Sequence, residues 1–245
     1  MIDRHSQLRT FPANHSGRDF IIGDIHGQFD ILEKLVKKIN FTEGRDRFFA
    51  TGDIVDRGPY SDQAVDWLTQ PWFNSVRGNH EQMVIDAMSG EGDPARHARN
   101  GGSWFYQLPF ERQHEIATHL KALPFAIELK LLSGEKIGII HAEPPGLEAD
   151  LNWQQRIKRL SALNPTVREK AQNQALYSRA RIENSHNQII KGITQIYVGH
   201  TTVREVMTIG NITYLDTGCS FLDGKLSAID IHTKIVTSCS AESTL

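Results

Sequence analysis

The sequence predicts an α/β (α+β) protein, and two patterns predict it. In the first half, short apolar runs alternate with segments whose apolar residues recur at helical spacing, which suggests βαβ units and a mostly parallel sheet. From Phe125 onward short β-like runs dominate, beginning with Phe125–Leu132 and Lys136–His141, joined hairpin-fashion at Ser133-Gly134. At 245 residues the chain buries a sizeable core without needing disulfides or a structural metal. No repeat or linker divides it, so a single domain over residues 1–245 is expected, with 1–18 as an N-terminal extension.

The elements follow in order. Asp19–Ile25 is a mostly apolar strand stopped at His26-Gly27. Ile31, Leu32, Leu35, Val36 and Ile39 then mark one face of a helix, with Lys34, Lys37 and Lys38 between them. Arg47–Ile54 reads as the second strand, ended by Asp56-Arg57-Gly58-Pro59, and a helix follows near Asp62–Leu68. Ser75-Val76-Arg77 is a short strand, and Glu81–Met88 a helix begun just after Gly78-Asn79-His80. Glycine and polar residues crowd Ser89–Ser103, which reads as a long surface loop running into the anchors Trp104-Phe105-Tyr106. A helix near Arg112–Leu123, a polar helical stretch over Trp153–Arg181, and short strands at Gln195–Val198, Arg204–Ile209, Ile212–Leu215, Lys225–Ile231 and Lys234–Thr237 complete the chain.

Composition narrows the function. A net charge of −2 gives no basic excess to hold a nucleic-acid backbone. No apolar stretch approaches the roughly 20 residues that span a bilayer, and Met1–Gly17 lacks an apolar signal segment, so neither membrane nor secretion is expected. Cys219 and Cys239 are too few for a disulfide scaffold and fit a reducing, cytoplasmic setting. Neither begins a Cys-x5-Arg loop, which argues against a cysteine nucleophile.

The informative polar residues sit at strand ends. Asp24-Ile25-His26 closes the first strand and Gly52-Asp53 the second. Asn79-His80 closes the third, and His141 and Gly199-His200 close two later ones. Loops beyond the carboxyl ends of such strands converge on one crevice. Carboxylate, imidazole and amide oxygen together suit Mn²⁺, Fe or Zn²⁺ better than Ca²⁺. Six ligands drawn from these groups are too many for one catalytic ion but suit two that share a carboxylate. A pair roughly 3.5–4 Å apart can hold a bridging hydroxide and clamp a phosphoryl oxygen. His5, His15, His97, His114, His119, His186 and His232 are read as solvated.

Three ordered blocks carry a family resemblance: Gly23-Asp24-Ile25-His26-Gly27, Gly52-Asp53-Ile54-Val55-Asp56-Arg57-Gly58 and Arg77-Gly78-Asn79-His80-Glu81. With Ile140-His141-Ala142 and Gly199-His200-Thr201 they resemble the PPP-type metallophosphatases. Trp72-Phe73, Arg77–Asp86 and Asn100-Gly101-Gly102-Ser103-Trp104-Phe105 are similar to the small bacterial and bacteriophage lambda serine/threonine protein phosphatases. The resemblance implies a calcineurin-like fold, a central β-sandwich flanked by helices. It implies two divalent metal ions, manganese foremost, with iron or zinc as alternatives. Asp24 and His26 would hold the first ion, Asp53 would bridge, and Asn79, His141 and His200 would complete the second. His80 would be the general acid, oriented by Asp56. Arg57 and Arg179 would bind phosphate with help from Arg77, and Arg181 is an alternative to Arg179. The implied substrate is a phosphoprotein or phosphopeptide bearing phosphoserine or phosphothreonine, with phosphotyrosine a further candidate.

Chemistry agrees with that reading. A phosphomonoester dianion repels hydroxide, so metals and bidentate arginines must gather positive charge around it. An alkoxide is a poor leaving group, and a positioned acid is worth about 10²–10⁴-fold in rate. The main rival is a symmetrical diadenosine tetraphosphate hydrolase. Asp56 before Arg57, and Glu81-Gln82-Met83 after His80, resemble the protein phosphatases more. Nucleases and phosphodiesterases of the wider superfamily end this region in Gly-His-x-His, where this chain has Thr202. A catalytically silent phosphoprotein-binding module would lack a ligand or the acid, and here every position is filled.

Overall fold

The computed structural model describes residues 7–147 and 149–240. Its strands and helices in chain order are β1 (Leu8–Phe11), β2 (Asp19–Ile22), α1 (Phe29–Lys38), β3 (Arg47–Ala50), α2 (Ala64–Leu68), β4 (Phe73–Ser75), α3 (Asn79–Ser89), α4 (Pro94–Arg99) and α5 (Phe110–Lys121). There follow β5 (Ala126–Lys130), β6 (Lys136–Ile140), α6 (Trp153–Lys158), α7 (Pro165–Tyr177), α8 (Ala180–Glu183), β7 (Gln195–Val198), β8 (Met207–Ile209), β9 (Ile212–Tyr214), β10 (Leu226–Asp230) and β11 (Val236–Cys239). One sheet runs β11-β10-β2-β3-β4 and the other β1-β5-β6-β7-β9-β8.

Strand alternation builds the layers. In β2, Phe20 and Ile22 join a cluster with Leu32 and Leu35 of α1 and Ile116 and Leu120 of α5, while Ile21 turns the other way. In β3, Phe48 and Ala50 take the first side and Phe49 the second. On the second sheet, Ala126, Ile140, Ile196 and Val198 pack with Trp153 of α6 and Ala171, Ala175 and Leu176 of α7. The opposite residues, Ile127, Leu129, Ile137, Ile139 and Tyr197, meet Ile21, Phe49 and Ile229 between the sheets. The result is a β-sandwich with a helical layer on each outer face, as expected. Side chains at alternate positions serve two apolar surfaces, which is why these strands read as continuous apolar runs.

The parallel pairing expected of the first half and the hairpin expected after Phe125 are both present, within sheets that are mixed as wholes. β2, β3 and β4 are parallel neighbours, but β10 and β11 return antiparallel, as do the β5–β6 and β8–β9 pairs. The second half has short turns where a parallel connection would need a crossover. One expectation needs correction. Ser89–Ser103 is not one loop: Asp93 caps α4 through Ala95 N–H (2.9 Å) and Arg96 N–H (3.1 Å), and Pro94 opens the helix. In the segment read as an extension, β1 pairs in parallel with β5; Met1–Ser6 lie outside the described residues.

Candidate active site

Every segment predicted to supply a metal ligand or the acid begins at the carboxyl end of a strand, while Arg179 lies between α7 and α8. Beyond β2 come Asp24 and His26, beyond β3 Asp53, beyond β4 Asn79 and His80 at the start of α3, beyond β6 His141, and beyond β7 His200. The turns are sharp. His26, Asp53, Asp56, Arg57 and His200 all have positive φ, between 47° and 70°. Backbone in this sparsely populated region persists where surrounding structure over-determines it, and such residues cluster at functional sites.

Glu81 supplies much of that bracing. Fully buried in the first turn of α3, it accepts from Asp53 N–H (2.8 Å), Ile54 N–H (2.8 Å) and Gly78 N–H (2.7 Å). Burial and the Asp53 carboxylate push its pKa up to about 7. Asp53 Oδ1 in turn accepts the His80 N–H at 2.9 Å, at the positive end of α3. Against the cost of burial, His141, His80 and His26 hold the Asp53 carboxyl well below its ordinary range.

Two buried groups share Asp53: His26 with His80, and His141 with His200. In each group the donor atoms lie within 4.8 Å of one another. The imidazoles are oriented as ligands of a cation would be. His26 Nδ1–H donates to Val55 O (3.1 Å), His141 Nδ1–H to Thr51 O (2.8 Å) and His200 Nε2–H to Tyr177 O (3.2 Å). Each backbone carbonyl thus fixes one ring nitrogen and leaves the other facing the cluster, the arrangement metal-binding histidines use. Burial, with the neighbouring His80, lowers His26 to about 3, and burial with His141 does the same to His200, so both rings are neutral. His141 is lifted to about 10, because the Asp53 carboxylate outweighs burial. Asn79 Oδ1 approaches the same His141 Nε2 at 3.0 Å. Asp24 is buried beside the cluster, accepting from Thr51 Oγ1 (2.9 Å) and His200 N–H (2.8 Å). These residues fit divalent cations in donor type and burial; His26 and His200 already offer a neutral nitrogen, and His141 would release its Nε2 proton to a cation.

A polar cavity of about 250 Å³ opens over the cluster, walled in part by His26, Asp53, Asn79, His80 and His200. Arg57 and Arg179 also line it. Arg57 reaches His26 Nε2 (2.8 Å) and His80 Nε2 (3.3 Å), and Arg179 donates to His200 O (3.2 Å). Glu143 holds the Arg179 turn, accepting from Ser178 Oγ (2.7 Å) and Arg181 N–H (2.6 Å). Arg181 is buried instead, donating to His186 O and Gln188 O at 2.7 and 2.9 Å, so Arg179 is the arginine at the cavity.

Arg77 departs from expectation. Its guanidinium donates to Lys121 O (2.6 Å) and Gln82 Oε1 (3.1 Å) and lies over the Phe125 ring, away from the cavity. Its backbone N–H bonds Pro124 O, which aims the side chain toward the end of α5. His97 departs as well: it is buried rather than solvated. Asp56 accepts from His80 Nδ1–H (2.7 Å), Trp104 Nε1–H (2.7 Å) and His97 Nε2–H (3.1 Å). The readable signal for His97 was the Asp93-Pro94 helix start, which places it one turn into a helix. His15, His114, His186 and His232 are exposed as expected, His119 is half-buried, and His5 lies outside the described residues.

Residues 20–225 match the model of the calcineurin-like phosphoesterase family, and the chain belongs to that family. It is 34% identical over 228 residues to serine/threonine-protein phosphatase 2 of Escherichia coli (strain K12), an alignment covering 91% of this chain and 96% of the relative. It is 26% identical over 261 residues to a symmetrical bis(5'-nucleosyl)-tetraphosphatase of Chromobacterium violaceum, covering 88% and 92%. A solved protein serine/threonine phosphatase from Saccharomyces cerevisiae superposes with a TM-score of 0.61 at 16% identity, over 99% of this chain and 86% of that one. Among the described residues no helix is long and apolar enough to cross a membrane.

Proposed function

We propose that the chain is a metal-dependent phosphoprotein phosphatase that hydrolyses phosphoserine and phosphothreonine monoesters, with Mn²⁺ as its cation and the cytoplasm as its compartment. One observation carries the reading: a single cavity brings Arg57, Arg179 and a histidine backed by a carboxylate to the Asp53-centred cluster. The 34% identity to a bacterial serine/threonine phosphatase over nearly the whole chain supports the choice of substrate. The two free thiols, Cys219 and Cys239, agree with a reducing compartment.

Asp24, His26 and Asp53 would hold one cation, and Asp53, Asn79, His141 and His200 would hold the other. When bound, the two cations supply positive charge at the phosphoryl oxygens and lower the pKa of water toward about 7. Arg57 and Arg179 grip the remaining oxygens as planar, permanently charged forks. His80 gives its Nε2 proton to the serine oxygen as the P–O bond breaks, and Asp56 fixes the ring by accepting from Nδ1–H. No side chain is needed as a covalent nucleophile.

The tetraphosphatase relative at 26% identity keeps a dinucleotide substrate as the second reading. Hydrolysis of a phosphoserine peptide and of diadenosine tetraphosphate, measured side by side in Mn²⁺, separates the two by kcat/KM. Preference for the peptide is expected, and preference for the dinucleotide would overturn the reading.

A further inference from the structure

Behind His80 lies a second imidazole that the proposed chemistry leaves unused. α4 buries His97 to 2% exposure, with Nε2 at 3.1 and 3.2 Å from the two Asp56 oxygens and Nδ1 at 3.0 Å from the Tyr106 hydroxyl. The following loop is folded around this contact. A Cβ on Gly102 would run into the His97 ring, and Gly101, at φ +96°, brings its carbonyl to the Arg57 N–H at 3.2 Å. Trp104 closes the assembly from the other side through Asp56 Oδ1.

The proton order follows from the donors. Burial works to raise the Asp56 carboxyl, but hydrogen bonds from His80 and His97 hold it below its ordinary value, so it is an anion that only accepts. His97 therefore donates through Nε2–H, and its Nδ1 accepts from the Tyr106 O–H. One chain of donors, Tyr106 to His97 to Asp56, meets the bond from His80 on the same carboxylate.

We propose that His97, its Nε2–H directed at the Asp56 carboxylate and its Nδ1 bonded to Tyr106, is a positioning residue for the acid: with Trp104 it pins the Asp56 carboxylate so that His80 Nε2 stays aimed into the cavity. His97 does not line the cavity and acts only through Asp56. The inference rests on the reading of His80 as the general acid.

Leaving-group dependence tests it. A serine alkoxide needs its proton at bond cleavage, whereas the 4-nitrophenolate of 4-nitrophenyl phosphate departs with little help. His97→Phe fills the ring's space without a donor, and His97→Gln restores an N–H. With His97→Phe, kcat on a phosphoserine peptide should fall about tenfold, a fraction of what the acid itself is worth. Turnover of 4-nitrophenyl phosphate should fall less than about threefold, with KM unchanged. His97→Gln should recover part of the loss. His80→Asn, run in parallel, should show the same discrimination more strongly. Because the readout is a ratio of two substrates on one preparation, an unfolded fraction cancels. Equal losses on both substrates for His97→Phe, with His80→Asn still discriminating, would overturn the role of His97 and leave the acid standing. Equal losses for His80→Asn would remove the acid assignment and this inference with it.

Discussion

Asp53 faces three imidazoles at once, with Oδ1 at 3.3 Å from His141 Nε2 and Oδ2 at 3.8 Å from both His26 Nε2 and His80 Nε2. A carboxylate in that position can serve two cations, and a neutral amide serves neither well. Asp53→Asn should therefore weaken both ions by at least about 100-fold, more than outer residues of a metal site cost. Elemental analysis after gel filtration reads this directly, and a variant that retains two ions per chain would remove the bridging role. Glu81 is spared by that change, since it holds the Asp53 backbone rather than its side chain. Asp53 was legible in the sequence because Gly-Asp at a strand end places the residue type and its location together. Arg77 was not: an arginine's destination depends on which carbonyls lie within reach, here those ending α5, and nothing local encodes them.

At the scale of the element, the segment from α3 through α4 to Trp104 shows where reading the sequence stopped. Glycines at 90, 92, 101 and 102 suggested a surface loop, yet they do different work. Gly90 ends α3 in the left-handed conformation (φ +74°), with open space where a Cβ would stand. Gly101 is also left-handed, but a Cβ there would lie 2.6 Å from the Arg57 backbone nitrogen. Gly90→Ala should cost about 1–2 kcal/mol, the price of the backbone conformation alone. Gly101→Ala should cost that much plus displacement of Arg57, which adds a loss of activity that Gly90→Ala does not show. Urea unfolding of both variants, paired with their phosphatase rates, makes the comparison. A Gly101→Ala enzyme as active as Gly90→Ala would mean that the loop does not set the position of Arg57. Composition could report that glycine was needed here but not which neighbour required it, because Arg57 is distant in sequence.

Across the whole molecule, the candidate ligands come from both sheets. His26, Asp53 and Asn79 follow strands of the five-stranded sheet, and His141 and His200 follow β6 and β7 of the other. The sequence made this convergence legible through strand-end motifs, while the division into two mixed sheets depended on long-range pairings that no window contains. The convergence also has a cost. Burial and the Asp216 carboxylate hold the Asp24 carboxyl well above its usual range, and burial likewise raises Asp216. Cations placed among these groups would offset that repulsion and tie the sheets together at the mouth of the sandwich. Metal removal should therefore destabilise the whole domain in one transition rather than loosen a single loop. Mn²⁺ at a hundred times its Kd should add about 2.7 kcal/mol per site. For a domain of this size that corresponds to a rise in Tm of roughly 5–10 °C for each site filled, and about twice that for both. Melting after exhaustive chelation, then again with Mn²⁺ restored, measures the shift, and Asp53→Asn should abolish most of it. An identical Tm with and without Mn²⁺ would mean that the buried carboxylates and imidazoles are satisfied by one another and that the cluster is not a metal centre.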